Sequence, residues 1–277
     1  MNRRIAQLVD RPRLARMGVA AYSTARFASE KFRLGVENRG GDNRYVDDGL
    51  PWPPDRLIFL VSGTVNRHWY QQSGAWDAQE IEESLSRNGL TIEDAGPILD
   101  FGCGSGRIIR RFATFAEAAD FHAVDYNHKL ISWCRDNLRF ATFASNGLMP
   151  PLPYQDGQFG FVYAYSVFTH LPDDAQVAWR DELHRVIRPG GHLWLTILND
   201  TCRDKLAPPE LKRYDAGDLV IRFGGAAGAN QCAAYPPEPY LNRLFSPDTG
   251  WRLVERQRSG PPWLPSAIQD FLLLERR

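Results

Sequence analysis

The sequence predicts an α/β fold: a doubly wound, mostly parallel seven-stranded sheet with an antiparallel terminal strand, preceded by a helical N-terminal extension. Three observations carry this expectation. Short apolar strands alternate with segments of helical period along the middle of the chain. The first strand runs directly into a turn that holds three glycines. Two strands close the chain with no convincing helix between them, the pattern of an antiparallel addition.

In chain order, Ile5, Leu8, Leu14 and Met17, then Ala20 or Ala21, recur at near-helical intervals, with Pro12 breaking the first stretch. Asn38 to Leu50 reads as a linker that ends in the stiff Pro51-Trp52-Pro53-Pro54, so 1–55 form an extension and 56–277 the main domain. Asp77 with Glu80 three residues later predicts a capping-box helix start, the helix running to Asn88-Gly89. Strands are expected at Pro97–Phe101, Phe121–Asp125, Phe140–Ala144, Phe159–Ser166 and His192–Ile197. Between them, Ile108, Ile109, Phe112 and Phe115 mark one helix and Leu130, Ile131, Trp133 and Leu138 a second. Val177, Trp179, Leu183 and Val186 mark a third, which Asp173 or Asp174 caps and Pro189-Gly190-Gly191 stops. Residues 198–250 are too long for a plain connection and predict a lid or cap insertion over a substrate. Trp251–Arg256 and Gln269–Glu275 form the closing pair.

Composition narrows the function classes. The 33 basic and 33 acidic residues cancel, so no global field invites a nucleic acid. The first 44 residues differ: ten Lys or Arg face four acids there. Such an extension could lie on an anionic membrane surface, fold over the crevice, or exchange between the subunits of a homodimer. The cysteines are scattered, with no C-x-x-C pair and no His at ligand spacing, which speaks against disulfides and a metal site and for a reducing, cytoplasmic setting. No apolar run reaches the roughly 20 residues of a membrane span.

The most informative segment is Ile98-Leu99-Asp100-Phe101-Gly102-Cys103-Gly104-Ser105-Gly106-Arg107. Glycine is needed where the backbone takes positive φ and a ligand approaches closely. The dinucleotide fingerprint G-x-G-x-x-G would need a glycine at 107, where Arg107 stands, which sets a nicotinamide oxidoreductase aside. The spacing is G-x-G-x-G instead. Asp125 ends the second strand, Asn146-Gly147 follows the third, and Pro151 to Tyr163, Ser166 to Leu171 and Arg188 to Leu193 come in order after them.

Together these segments resemble the class I (Rossmann-like) S-adenosylmethionine-dependent methyltransferases over about Arg56 to Arg277. The resemblance implies S-adenosylmethionine as cofactor, S-adenosylhomocysteine as product, and no metal. It implies that Asp100, Gly102, Cys103, Gly104 and Gly106 wrap the methionine portion, that Asp125 accepts the ribose hydroxyls, and that Tyr126 lies against the adenine. Asn146 and Gly147 would sit near the adenine amino group, Asn146 replacing the usual Asp; Ser166 belongs to the same set. Trp69 and Tyr70 resemble the N-terminal cap of part of the family. Gly160 is a departure, since the family usually has Phe-Asp where this chain has Phe159-Gly160.

Methyl transfer from a sulfonium is an in-line displacement, so the protein mainly orients the partners and excludes water. A base is required only when the acceptor must lose a proton, and His170 is the candidate. Tyr165 could contact cofactor or acceptor or fill the core; Tyr22, Tyr214, Tyr235 and Tyr240 are candidate acceptor contacts. The expected function is methyl transfer to a small-molecule acceptor, a natural product, sugar or aromatic. The alternatives are a regulatory module that binds the cofactor without turnover and a membrane-surface enzyme acting on a lipid or glycan.

Overall fold

A computed structural model describes residues 23–33, 48–259 and 268–277. Tyr22, the apolar spacing before it and most of the expected linker lie outside these residues. Residues 23–33 are helical (α1) and dock on helix α2 (Asp55–Ser62). Phe27 meets Phe59 edge-on with ring centres 5.5 Å apart, and Thr64 donates to Glu30 at 3.0 Å.

Helix α3 spans Arg67–Arg87 and is N-capped by Asn66, whose side chain accepts from the Trp69 N–H at 2.9 Å. Asp77 is therefore not a cap. It lies in mid-helix on the face that buries Tyr70, Ser73, Gly74, Ala78 and Ile81, because an ion pair described below satisfies it there. Strand β1 (Ile98–Phe101) is buried along its whole length. The expected helix after it is a 3-10 helix over Ile109–Phe115. Then come β2 (Phe121–Asp125), α4 (His128–Asn137), β3 (Thr142–Ser145) and β4 (Phe159–Ala164). Helix α5 (Asp173–Val186) leads without a break into β5 (Ile187–Leu198).

The main sheet has seven strands in the order β3-β2-β1-β4-β5-β9-β8, with β8 at Trp251–Arg258 and β9 at Gln269–Arg276. The first five are parallel neighbours, and β9 runs antiparallel to both β5 and β8. The last strand of the chain thus enters between two others rather than adding to the edge. One face of the sheet packs on α5 through Trp179, Leu183 and Val186, the other on α3 and α4 through Ile81, Leu85, Ile131 and Cys134. Residues 198–250 contain a helix α6 (Pro208–Asp215), a two-stranded ribbon of β6 (Val220–Arg222) and β7 (Ala233–Tyr235), and a helix α7 (Glu238–Leu244). No helix among the described residues is long and apolar enough to cross a membrane.

Gly160 has a packing reason. A Cβ there would overlap the Ala95 carbonyl oxygen and stand 3.0 Å from the Arg188 guanidinium. The register between β4 and β5 shifts at the same point, between Phe159 and Phe161. A larger residue would have to push the backbone of residue 95 away. Gly160→Ala is expected to cost about 1–3 kcal/mol by overpacking, read as a lower urea midpoint with an unchanged slope.

Candidate active site

At the carboxyl ends of β1, β2 and β4 lies a cavity of about 940 Å³. Open parallel sheets bind ligands at this place. Its floor begins at the glycine turn. Gly102 and Gly104 take φ of 85° and 59°, and a Cβ on either would run into Val167 or Val61. The Gly104 N–H donates to Asp125 Oδ2 at 2.9 Å, and Asn127 N–H donates to Oδ1 at 2.8 Å. Cys103 lines the same stretch. Gly106 does not; its α-carbon faces Leu138 at the end of α4, so its role is to let turn and helix close together.

Burial governs the carboxyls. It raises Asp125 to about 6 in spite of the two backbone N–H groups that pull it down. Asp100 is pushed further, to about 8, by burial first, with the Tyr163 hydroxyl opposing the rise and Asp125 nearby adding to it. Its Oδ2 has no hydrogen-bond partner, although the residue lines the cavity. Beside it, Tyr126 is exposed and lines the cavity with Asn146 and Gly147. Asn146 Nδ2 donates to the Gly147 carbonyl at 2.7 Å, leaving its Oδ1 buried and without a partner.

On the other side of the turn, Ser166 holds a φ of 58°, a strained value for a residue with a side chain. Tyr165 stacks on Trp194 with ring centres 6.0 Å apart, and the Arg107 guanidinium lies 5.2 Å from the Tyr165 ring. Arg107 is buried and bound to Asp77, and also donates to Ser73 Oγ at 3.2 Å. His170 Nδ1 lies 2.6 Å from the Cys232 carbonyl, which only accepts, so the ring proton sits on Nδ1 and Nε2 keeps its lone pair. Burial lowers its pKa, favouring the neutral imidazole.

Several expected contacts are corrected. Tyr70 does not line the cavity: it is buried beneath the turn, where its hydroxyl donates to the Ser105 carbonyl at 3.1 Å. Tyr214 donates to Asp200 at 2.6 Å and Tyr240 to Asp173 at 2.7 Å, and neither is among the residues that line the cavity. Tyr235 packs in β7 with Arg222 5.4 Å from its ring. In 198–250 it is the turn at 225–231 that lines the cavity instead. Trp69 and Tyr165 do line it. Ser73, Asp77, Arg107 and Gln269 also line it and were not anticipated. Arg107, directly after the third glycine, offered a positional signal; Gln269 offered none.

The architecture is the Rossmann-like methyltransferase fold. Residues 98–191 match the family model described as a methyltransferase domain. Among curated relatives, cycloartenol-C-24-methyltransferase 1 of Oryza sativa is 28% identical over 42% of this chain and 36% of its own length. The chain spans between a third and a half of the length of the first curated relatives it matches. A solved S-adenosylmethionine-dependent methyltransferase of Methanosarcina mazei has the same fold, with TM-score 0.52 and 20% identity over 69% of this chain and 96% of that one. Magnesium protoporphyrin IX methyltransferase of Synechocystis, solved with S-adenosylhomocysteine, aligns with TM-score 0.53 and 17% identity over 80% and 92% of the chains.

The residues present fit S-adenosylmethionine: a glycine turn at positive φ on the cavity floor, a carboxylate ending β2, and the unpartnered oxygens of Asp100 and Asn146. An ionised Asp125 accepts hydroxyls better than a protonated one. Affinity for S-adenosylhomocysteine should therefore weaken as pH falls through about 6, and Asp125→Asn should remove that dependence in calorimetric titrations. Asp77→Ala strands a buried guanidinium and should cost about 3–5 kcal/mol in chemical denaturation. Pairing it with Arg107→Met should recover most of that loss.

Proposed function

We propose that the chain transfers the methyl group of S-adenosylmethionine to a small-molecule acceptor. What supports this most is a single cavity that joins the glycine turn and Asp125 to His170, Tyr165 and Gln269. A site for the donor alone has no need of a base-competent imidazole and a second polar wall in the same space.

When bound, the cofactor supplies an electrophilic methyl on a sulfonium. The chain's own residues do the rest. Asp125 accepts the ribose hydroxyls, Asn146 Oδ1 accepts from the adenine amino group, and Gly102 and Gly104 leave room for the chain to run along the turn. The segment at 225–231 excludes water. It is tied down by the Gly228 N–H donating to the His170 carbonyl at 2.9 Å and by Asn230 donating to the Leu60 carbonyl at 3.2 Å. His170 Nε2 takes a proton from an acceptor hydroxyl or amine as the methyl arrives.

S-adenosylhomocysteine should raise the melting temperature and NAD should not; the reverse result overturns the reading. Methyl-labelled donor incubated with a small-molecule extract should label a product other than the protein. His170→Asn keeps a donor for the Cys232 carbonyl but no base. It should lower kcat by about 100-fold or more, with S-adenosylhomocysteine affinity unchanged.

A further inference from the structure

We propose that Gln269 selects the acceptor, presenting its side-chain oxygen to an O–H or N–H hydrogen of a neutral aromatic molecule. The proposal rests on the methyl-transfer reading and names the substrate chemistry of the same cavity. Strands β4, β5 and β9 are neighbours, and their ends at the cavity bring Ser166, Thr196 and Gln269 together.

The hydrogen bonds there settle which way the amide of Gln269 points. The Ser166 N–H donates to Thr196 Oγ1 at 2.7 Å. The Thr169 hydroxyl donates to the Ser166 carbonyl at 2.8 Å, which uses its one proton. The hydroxyl oxygens of Ser166 and Thr169 are 3.0 Å apart, so the proton between them comes from Ser166. Ser166 Oγ is then left as an acceptor, and Gln269 turns its Nε2 toward it at 3.2 Å. Its Oε1 is thereby left buried and without a hydrogen-bond partner, on a residue that lines the cavity.

A buried acceptor with no donor is costly, and a ligand hydrogen placed against it removes that cost. A ligand carboxylate would instead set lone pair against lone pair. Of the cations that line the cavity, Arg107 is already engaged by Asp77, and Arg26 and Arg56 donate to the backbone carbonyls of Gly63 and Ser23. Trp69 and Tyr165 line the same cavity and make part of its wall aromatic. The backbone of Gln269 is fixed by its pairing with Leu198 and by the Ser259 N–H, which donates to the Gln269 carbonyl at 3.0 Å. The side chain is therefore aimed from a rigid base.

The test uses catechol and benzoate, matched rings with a neutral hydroxyl donor or a carboxylate, titrated calorimetrically into the full chain with and without S-adenosylhomocysteine. Catechol should bind and benzoate should bind at least about tenfold more weakly, a difference of roughly one hydrogen bond. Gln269→Leu should weaken catechol about tenfold and leave S-adenosylhomocysteine affinity unchanged, which also shows that the variant is folded. Gln269→Glu, which keeps an oxygen at the same reach, should retain catechol. Benzoate binding as tightly as catechol, Gln269→Leu binding catechol like the wild type, or no catechol binding overturns the assignment of Gln269. Failure of S-adenosylhomocysteine to bind overturns the methyl-transfer reading instead, and the titrations without it still decide the role of Gln269.

Discussion

Close approach at the glycine turn is the constraint from which the rest of the site follows. Three glycines face three different elements: Gly102 faces Val167 after β4, Gly104 faces Val61 at the end of α2, and Gly106 faces Leu138 after α4. A side chain at any of them would separate the turn from a neighbour. Because nothing intervenes, the Gly104 N–H reaches the Asp125 carboxylate, and β1 and β2 end in one shared electrostatic unit. Tyr70 belongs to the same construction, since its hydroxyl supports the turn from below at Ser105.

That turn divides the cavity. The strands on one side of it, β2 and β3, end in Asp125, Asn127 and Asn146. Those on the other, β4, β5 and β9, end in Tyr165, Ser166, Thr196 and Gln269. The two halves differ in their hydrogen bonding. The first presents side-chain oxygens, two of them accepting from backbone N–H groups. The second is a network of hydroxyls and one amide whose protons are nearly all assigned, so its remaining acceptor is well defined. The buried Arg107–Asp77 pair lines the same cavity and adds no net charge to it.

The segment over the cavity is tied down by hydrogen bonds from the Gly228 backbone and the Asn230 side chain. His170 takes part twice, its carbonyl accepting from Gly228 and its ring donating to Cys232. The contact that fixes the tautomer of the imidazole is thus also one that holds the covering segment. Gly228 has to be small here, because a Cβ would come within 2.8 Å of Leu148 and 3.3 Å of the Tyr126 ring.

By itself the sequence determined the strand order along the chain, the glycine turn, the carboxylate ending β2 and the paired strands at the close. Each of these is written locally, in a period of two or 3.6 residues or in a fixed offset within one βα unit. It misread Asp77 as a cap because Asp followed by Glu is the same local signal whether the aspartate faces water or a buried Arg107, 30 residues away. The tyrosines 214, 235 and 240 were indistinguishable from cavity residues for a similar reason: composition does not say which way a ring points. Only the tertiary structure decided that β9 enters between β5 and β8, why residue 160 is glycine, and that Gln269 meets Ser166 across 103 residues of chain. Those facts depend on which strand ends become neighbours, and that is set by packing of the whole sheet, not by any window of sequence.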